Sequence, residues 1–543
     1  MKKLFNWKFL LLFIVLIGGF LRFYNINSNP PSLNWDEAAW GYNAYSLGIN
    51  GRDEFGRFLP HDYLESYGDF KPPVYAYLDV VPVKVFGLNE FAVRFPSAFL
   101  GTLAILLTFF LVEQIFYNSK KKKLIALSAA FFLSISPWHI MLSRGAFEAN
   151  VANFFIILGV WAFLKAVRER KEYLYLSAVI FALTFYIFNT PRVVSPILVL
   201  LLAVIFRKSL WKIKKTVAFS AVLGFLVFLP TFGFLLTPQA GLRFKEVNIF
   251  SDVSVVRSAN QEIANDNNSI ISKALHNRRF LYAVDYVKHY FDNLNPNFLF
   301  IKGDPNTKFS TQNTGQMYIW DIGFFVLGIL LVFRKREGYW WLVPLWLLVG
   351  IIPAATARET PHALRIESSL PMFQILVAYG FVYFYEWLKN KKFYKPAIIL
   401  VVFLLLGNFI YFYHDLLYNY SYRYSQDWQF GYKEAFVYVK TIDKNYDSVR
   451  VTNALGRPYI YYLVYQKINP KYYRNNAIVT RDSFGFVSVE KVGKYYFPKV
   501  LEPVPSDKNA LYIGIPGEVP ESAKIIKKFY DLNGNLSLMA YTL

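Results

Sequence analysis

Eleven apolar segments, joined by connections that turn basic at every second step, constrain this chain more than any other feature of its sequence. A helix that crosses a bilayer needs ~20 mostly apolar residues. Segments near that length fall at approximately 8–24, 92–116, 124–142, 148–165, 173–189, 191–206, 216–236, 318–333, 339–356, 369–388 and 396–414, several of them short or containing proline. The blocks KKKK (120–123), KAVRERK (165–171), RKSLWKIKK (207–215), RKR (334–336) and KNKKFYK (389–395) follow every second segment and together hold 20 Lys or Arg. Short connections on the other side hold only Arg144, Arg192, Arg358 and Arg365. Because Lys and Arg concentrate in cytoplasmic connections, the pattern predicts a multi-pass protein of the cell membrane with its N-terminus cytoplasmic and its C-terminus extracytoplasmic.

Composition supports this. Of 543 residues, 55% are hydrophobic and 18% charged, where a soluble domain carries about 25% charged residues. A net charge of +22 raises the question of a nucleic-acid partner, but the Lys and Arg are scattered in blocks between apolar runs and not gathered on one face. The charge therefore reads as topology, and no nucleic-acid partner is expected. The absence of cysteine excludes disulfides, thiolate metal sites and a cysteine nucleophile. The N-terminus has the charged start and apolar core of a signal peptide without a convincing small-residue cleavage site, so it reads as a retained first helix.

On this topology residues 1–414 form a transmembrane module with large outer loops at 25–91 and 237–317, and residues 415–543 form a small extracytoplasmic α/β domain. In that domain WQFGYKEAFVYVKTI (428–442) has a helical pattern, while SVRVTNA (448–454), ALYIGIP (510–516) and LSLMAYTL (536–543) alternate as strands between turn residues. The Asn-rich piece SANQEIANDNNS (258–269) reads as a mobile loop.

Candidate chemistry gathers on the outer side. In PPSLNWDEAAWGYNAY (30–45), Asp36 and Glu37 lie side by side between Trp35 and Trp40. Acids in the first turn of a helix are favoured by its dipole, so the pair reads equally as a helix cap and as a catalytic group. Lys71 precedes Pro72 and Pro73, which hold its backbone extended. It suits either a phosphate or a lipid headgroup reached by snorkelling. Arg94, Arg144, Glu148, Arg192, His362 and Arg365 also lie at outer helix ends, where charges are costly and usually have partners or a function. The loop NPNFLFIKGDPNTKFSTQNTGQMYIWD offers Lys302, Asp304 and Gln316, either as a lid or as a structural tie between helices. No phosphate-binding Walker loop is apparent.

The motifs DEAAWGYNAY, KPPVYAYL, FAVRFPSAFLG, SRGAFEAN, FNTPRVVSPIL, NPNFLFIKGDPN with TGQMYIWDIGFFVLG, and PHALRIESSLP run in order from residue 36 to about 371. In this order and on one side, the sequence resembles the lipid-linked-sugar glycosyltransferases of the GT-C superfamily. Within it, the likeness is to bacterial glycosyltransferase family 39, relatives of protein O-mannosyltransferases and of the aminoarabinose transferase that acts on lipid A. The resemblance implies a polytopic α-helical fold of about 11 transmembrane helices and inverting transfer of a sugar from a polyprenyl-phosphate donor to an extracytoplasmic protein, lipid or wall-glycan acceptor. It implies Asp36 as general base with Glu37 as its neighbour, and Lys71 as the donor-phosphate ligand supported by Arg192 and Arg365. Asp69, Arg144, Glu148, Asp304 and His362 are then candidates for positioning substrates. Relatives of the aminoarabinose-transferase type carry Glu immediately before the corresponding lysine, where this chain has Phe70 with Asp69 one step earlier. That departure puts a family-type divalent metal site in doubt, and ordinary polar contacts are the preferred reading of Asp69 and His362. The rival classes are a transporter or flippase for lipid-linked glycans and a non-catalytic binder of polyprenyl phosphate. Paired halves, common in transporters, are absent from the sequence.

Overall fold

The structure, a computed structural model, describes residues 6–482, 486–502, 504, 507 and 509–543. The chain divides into two compact units: Met1–Leu21, Leu100–Leu142 and Glu148–Phe412 form the first, and Arg22–Phe99, Ser143–Phe147 and Tyr413–Leu543 form the second. The boundary read at 414/415 falls at Phe412/Tyr413. Residues 22–99 and 143–147, which the sequence reading placed in the transmembrane module, group with the C-terminal stretch.

The first unit is helical. Every one of the eleven apolar segments carries a helix, but among the described residues only five helices are long and apolar enough to cross a membrane: Glu90–Ile115, Glu148–Arg168, Lys214–Leu235, Glu367–Leu388 and Tyr394–Tyr424. A sixth is reached if Lys122–Ile135 and Pro137–Arg144, bent by 55°, count as one span. The bend falls at Pro137, whose ring cannot fit a continuous helix. Two of the shorter segments are bounded by a proline or a 3-10 turn. Pro191 begins a helix that ends at Ile205, and Leu342–Ile351 passes into a 3-10 turn at Ala354–Thr356. Apolar faces that no protein covers identify the lipid side: Phe219, Val222, Phe225, Leu226 and Leu229 of Lys214–Leu235 are all exposed, as an apolar solvent would allow. Helices Asp321–Lys335 and Met372–Leu388 meet at Gly328 and Gly380, where a Cβ on either would overlap the backbone carbonyl of Leu376 or Phe324. Small residues of this kind let membrane helices approach to backbone contact.

Residues 258–265, read as part of a mobile loop, are helical within Val253–Asn265. Asp252 caps that helix by accepting the N–H of Ser254 at 2.8 Å.

In the second unit a two-stranded hairpin, β1 (Leu64–Ser66) and β2 (Asp69–Lys71), precedes helix Val74–Phe86. The C-terminal stretch builds a mixed sheet from β3 (Ser448–Val451), β4 (Ala477–Arg481), β5 (Val487–Val492), β6 (Tyr495–Tyr496), β7 (Ala510–Gly514), β8 (Lys524–Tyr530) and β9 (Leu536–Thr542), in the order β4-β5-β6-β3-β7-β9-β8. Strand β3 runs parallel to both β6 and β7, while the outer pairs are antiparallel. The three runs read as strands are β3, β7 and β9, and Tyr432–Ile442 is the expected helix. Strands β4, β6 and β8 had no alternating apolar signal, and in β5 it is confined to Val487 and Val489. Their burial is irregular, and β4 and β8 expose most of their residues, so one-sided patterning was weak.

Candidate active site

The acidic pair sits at the start of helix Trp35–Asn50. Asn34 is its N-cap, and its Oδ1 accepts the N–H groups of Asp36 at 2.8 Å and Glu37 at 3.1 Å. Glu37, three residues past the cap, returns a bond by accepting the Asn34 N–H at 3.0 Å, which completes a capping box. Neighbouring residues on a helix point ~100° apart, so the two acids meet different surroundings.

Glu37 is fully buried and saturated. Its carboxylate accepts Arg94 Nε at 2.9 Å, Arg94 Nη2 at 3.0 Å and the Ala146 N–H at 2.9 Å besides the Asn34 N–H. Arg94 in turn donates to the carbonyls of Ile26, Pro30 and Ser32 at 2.9, 2.8 and 2.5 Å. Glu37, expected as a catalytic neighbour, is thus the centre of a buried lattice that ties the start of this loop together, with no lone pair left for a substrate. Arg144 has a similar part. It donates to the carbonyls of Tyr24 and Asn29 at 2.8 and 2.7 Å and is buried, so the residue expected to position substrate clamps the 22–29 turn.

Asp36 faces the other way. Its side chain is 51% exposed and forms an ion pair with Lys71, whose side chain is 8% exposed. Lys71 ends β2 opposite Leu64 in β1. The hairpin turns through Tyr67 and Gly68 at φ +63° and +81°, the left-handed pair that a two-residue turn requires. Tyrosine in that conformation is strained, and it is fixed where it is: its hydroxyl donates to the Trp35 carbonyl at 2.7 Å. The Lys71 ammonium lies 5.2 Å from the Trp40 ring centroid and 5.6 Å from that of Tyr67, a partly aromatic cage that suits a cation. Asp69 stands at the start of the same strand, opposite Ser66. The sequence reading did not single out Tyr67. The signal was there in Tyr-Gly flanked by two short strand-like runs.

The first unit holds the other candidates. Asp304 Oδ1 accepts the Asn306 N–H at 2.7 Å and Oδ2 the Ala363 N–H at 2.5 Å. The His362 N–H donates to Asn293 Oδ1 at 3.0 Å, and its Nδ1 lies 4.0 Å from Asp304 Oδ2. Burial pushes the Asp304 carboxyl up to about 7. It drives the His362 imidazole well below its ordinary range, with Arg365 adding to the effect, so the ring is neutral at neutral pH. Arg365 is held by Glu359 through its carbonyl at 2.9 Å and its carboxylate at 3.6 Å. Arg192 Nε donates to the Phe185 carbonyl at 3.1 Å, and Glu148 opens helix Glu148–Arg168 with buried Glu367 as an electrostatic neighbour. Gln316 is buried, its N–H on the Phe298 carbonyl at 3.2 Å and its side chain on the Phe309 carbonyl at 3.3 Å, which fits the structural-tie reading of its loop. Asp304 and His362 are two side chains, one with both oxygens engaged, and fall short of the three or more a protein metal site uses. No group of three or more candidate metal ligands occurs among the described residues.

A unit of apolar helices and a second unit with a mixed sheet, in which a carboxylate and a lysine pair at a helix start, define a class to which known proteins can be compared. Residues 70–234 match the family described as dolichyl-phosphate-mannose-protein mannosyltransferase. An uncharacterized protein of Aquifex aeolicus (strain VF5) is 31% identical over 175 residues, 32% of each chain. YkcB of Bacillus subtilis (strain 168) is 25% identical over 174 residues, 31% of this chain and 22% of its own. The matched stretch thus spans under a third of either relative. Among solved structures, ArnT from Cupriavidus metallidurans bound to undecaprenyl phosphate is similar with a TM-score of 0.53 at 12% identity, covering 98% of both chains. The Archaeoglobus fulgidus oligosaccharyltransferase in its apo form is similar with a TM-score of 0.53 at 14% identity, over 86% of this chain and 64% of its own. The resemblance to GT-C glycosyltransferases read from the sequence is borne out, in the family segment and in the fold.

Proposed function

We propose that this chain is an integral-membrane inverting glycosyltransferase that moves a sugar from a polyprenyl-phosphate donor to an extracytoplasmic acceptor, with the topology read from its basic blocks. The observation that carries this reading is the pairing of half-exposed Asp36 with buried Lys71, the lysine lying at the head of the mannosyltransferase-like segment. ArnT, of the same fold, is known bound to undecaprenyl phosphate.

In this reading Lys71 turns from Asp36 to the donor phosphate. Its charge then stabilises the negative charge that develops as the bond between the sugar's anomeric carbon and the phosphate oxygen breaks. Asp36, released from the lysine, accepts the proton of the acceptor hydroxyl as that oxygen attacks the opposite face of the anomeric carbon. Polyprenyl phosphate leaves with the bonding electron pair. The resemblance gives Arg192 and Arg365 the part of supporting the phosphate, and Asp69, Glu148, Asp304 and His362 that of positioning donor or acceptor. Glu37 and Arg144 hold the scaffold, and no step calls on a metal.

The test is transfer of labelled sugar from synthetic polyprenyl-phosphate mannose to an envelope extract by the purified protein. Asp36→Asn lowers the rate by ~10²–10⁴, the usual worth of a positioned general base, and Lys71→Ala raises the donor concentration for half-maximal rate. If both variants transfer as well as the parent, the assignment is wrong. If no donor is consumed while a labelled lipid changes leaflet, the transporter reading replaces it.

A further inference from the structure

We propose that Arg457, delivered by the loop that follows β3, is an anion-binding residue that seats a negatively charged group of the acceptor next to Asp36. The inference rests on the transferase reading above and deepens it by naming the acceptor's chemistry: a hydroxyl with an anionic group close by.

The loop 452–457 leaves the C-terminal end of β3, a strand flanked by parallel neighbours. Ligands in open α/β sheets tend to gather at such ends. It leads into helix Pro458–Tyr465, which packs on helix Trp35–Asn50. That packing brings the loop onto the aromatic residue before Asp36: a Cβ on Gly456, at φ +86°, would stand 3.1 Å from the Trp35 ring. The Arg457 guanidinium lies 3.8 Å from the centroid of the Tyr67 ring and 5.7 Å from that of Trp35. Tyr67 is the same residue whose ring also neighbours Lys71.

Two further observations favour a ligand. Arg457 is strained, at φ +53° and ψ +50°, and it contacts strained Tyr67. Left-handed non-glycine residues are strained and cluster at ligand sites. Its N–H is held by Asn453 Oδ1 at 3.0 Å, yet among the described residues its guanidinium makes no ion pair and no hydrogen bond. An arginine lying on an aromatic face keeps its N–H edge free for a phosphate or carboxylate. Lys71 is matched by Asp36 and Arg94 by Glu37, whereas among the described residues no carboxylate pairs with Arg457. Arg457 is also partly exposed where Lys71 is buried, so of the two cations it is the one more open to a water-borne group.

The experiment fractionates an envelope extract by anion exchange into acidic and neutral pools and offers both to the purified full chain with labelled polyprenyl-phosphate mannose. Label is expected in the acidic pool. Arg457→Ala raises the half-saturating acceptor concentration roughly tenfold, the low end for a charge-assisted hydrogen bond, with maximal rate and donor half-saturation unchanged. Arg457→Lys, which keeps the charge, recovers at least half of that loss, and Arg457→Gln does not. A merely structural Arg457 would lower maximal rate or thermal midpoint and leave acceptor half-saturation alone. A change in donor half-saturation would place the anion on the donor. Label in the neutral pool, or an acceptor dependence that none of the three variants alters, overturns the proposal while the transferase reading stands. No transfer by the parent sinks that reading, and this one falls with it.

Discussion

Replacing Glu37 by glutamine separates the two neighbouring acids. The carboxylate and its partner Arg94 are both fully buried, and the carboxylate accepts four donors between 2.9 and 3.0 Å. Glutamine keeps the shape but turns an NH₂ toward two of those donors and leaves the Arg94 guanidinium buried without its counter-charge. Breaking a buried pair from one side costs about 3–5 kcal/mol. For a unit of 150–250 residues that is ~6–20 °C in the thermal midpoint. The assay follows tryptophan fluorescence on heating in detergent, beside the initial transfer rate per folded molecule well below the midpoint. Glu37→Gln is expected to lose the midpoint and keep most of the rate, and Asp36→Asn to do the reverse. A Glu37→Gln protein with an unchanged midpoint and no transfer would refute the scaffold role and return Glu37 to the reaction.

Two other outcomes follow from buried groups and close approaches. Burial lifts the Glu54 carboxyl to about 8, with Asp53 adding to the effect, so the folded state holds a proton that the unfolded chain releases near pH 4.5. The stability linked to this proton is complete below that value and falls by ~1.4 kcal/mol per unit as pH rises toward 8. Glu54→Gln should flatten the midpoint-against-pH curve between 5 and 8, and parallel curves for parent and variant would contradict it. In the loop before Asp321, a Cβ on Gly315 would collide with the Phe300 backbone. Gly315→Ala should therefore cost about 1–3 kcal/mol by overpacking, measured as a lower thermal midpoint, and an unchanged midpoint would show that the loop yields freely.

Much of the site could be read in advance because its determinants are local. Asn34, Asp36 and Glu37 form a cap within four residues, and Lys71 is stiffened by the prolines that follow it. Which acid faces solvent was not readable, because that depends on Arg94 and Ala146, far along the chain. Arg457 was invisible for the same reason: nothing in NALGRP states that it lies on Tyr67, nearly four hundred residues earlier.

The sequence by itself determined that this is a membrane protein and where its apolar helices lie, since hydropathy acts residue by residue against a fixed bilayer. Only the tertiary structure decided the span lengths, the grouping of residues 22–99 with the C-terminal sheet, and the division of labour between Asp36 and Glu37. Those depend on which distant groups come within hydrogen-bonding reach. Reach of about 3 Å is a property of the folded chain, and local pattern does not encode it.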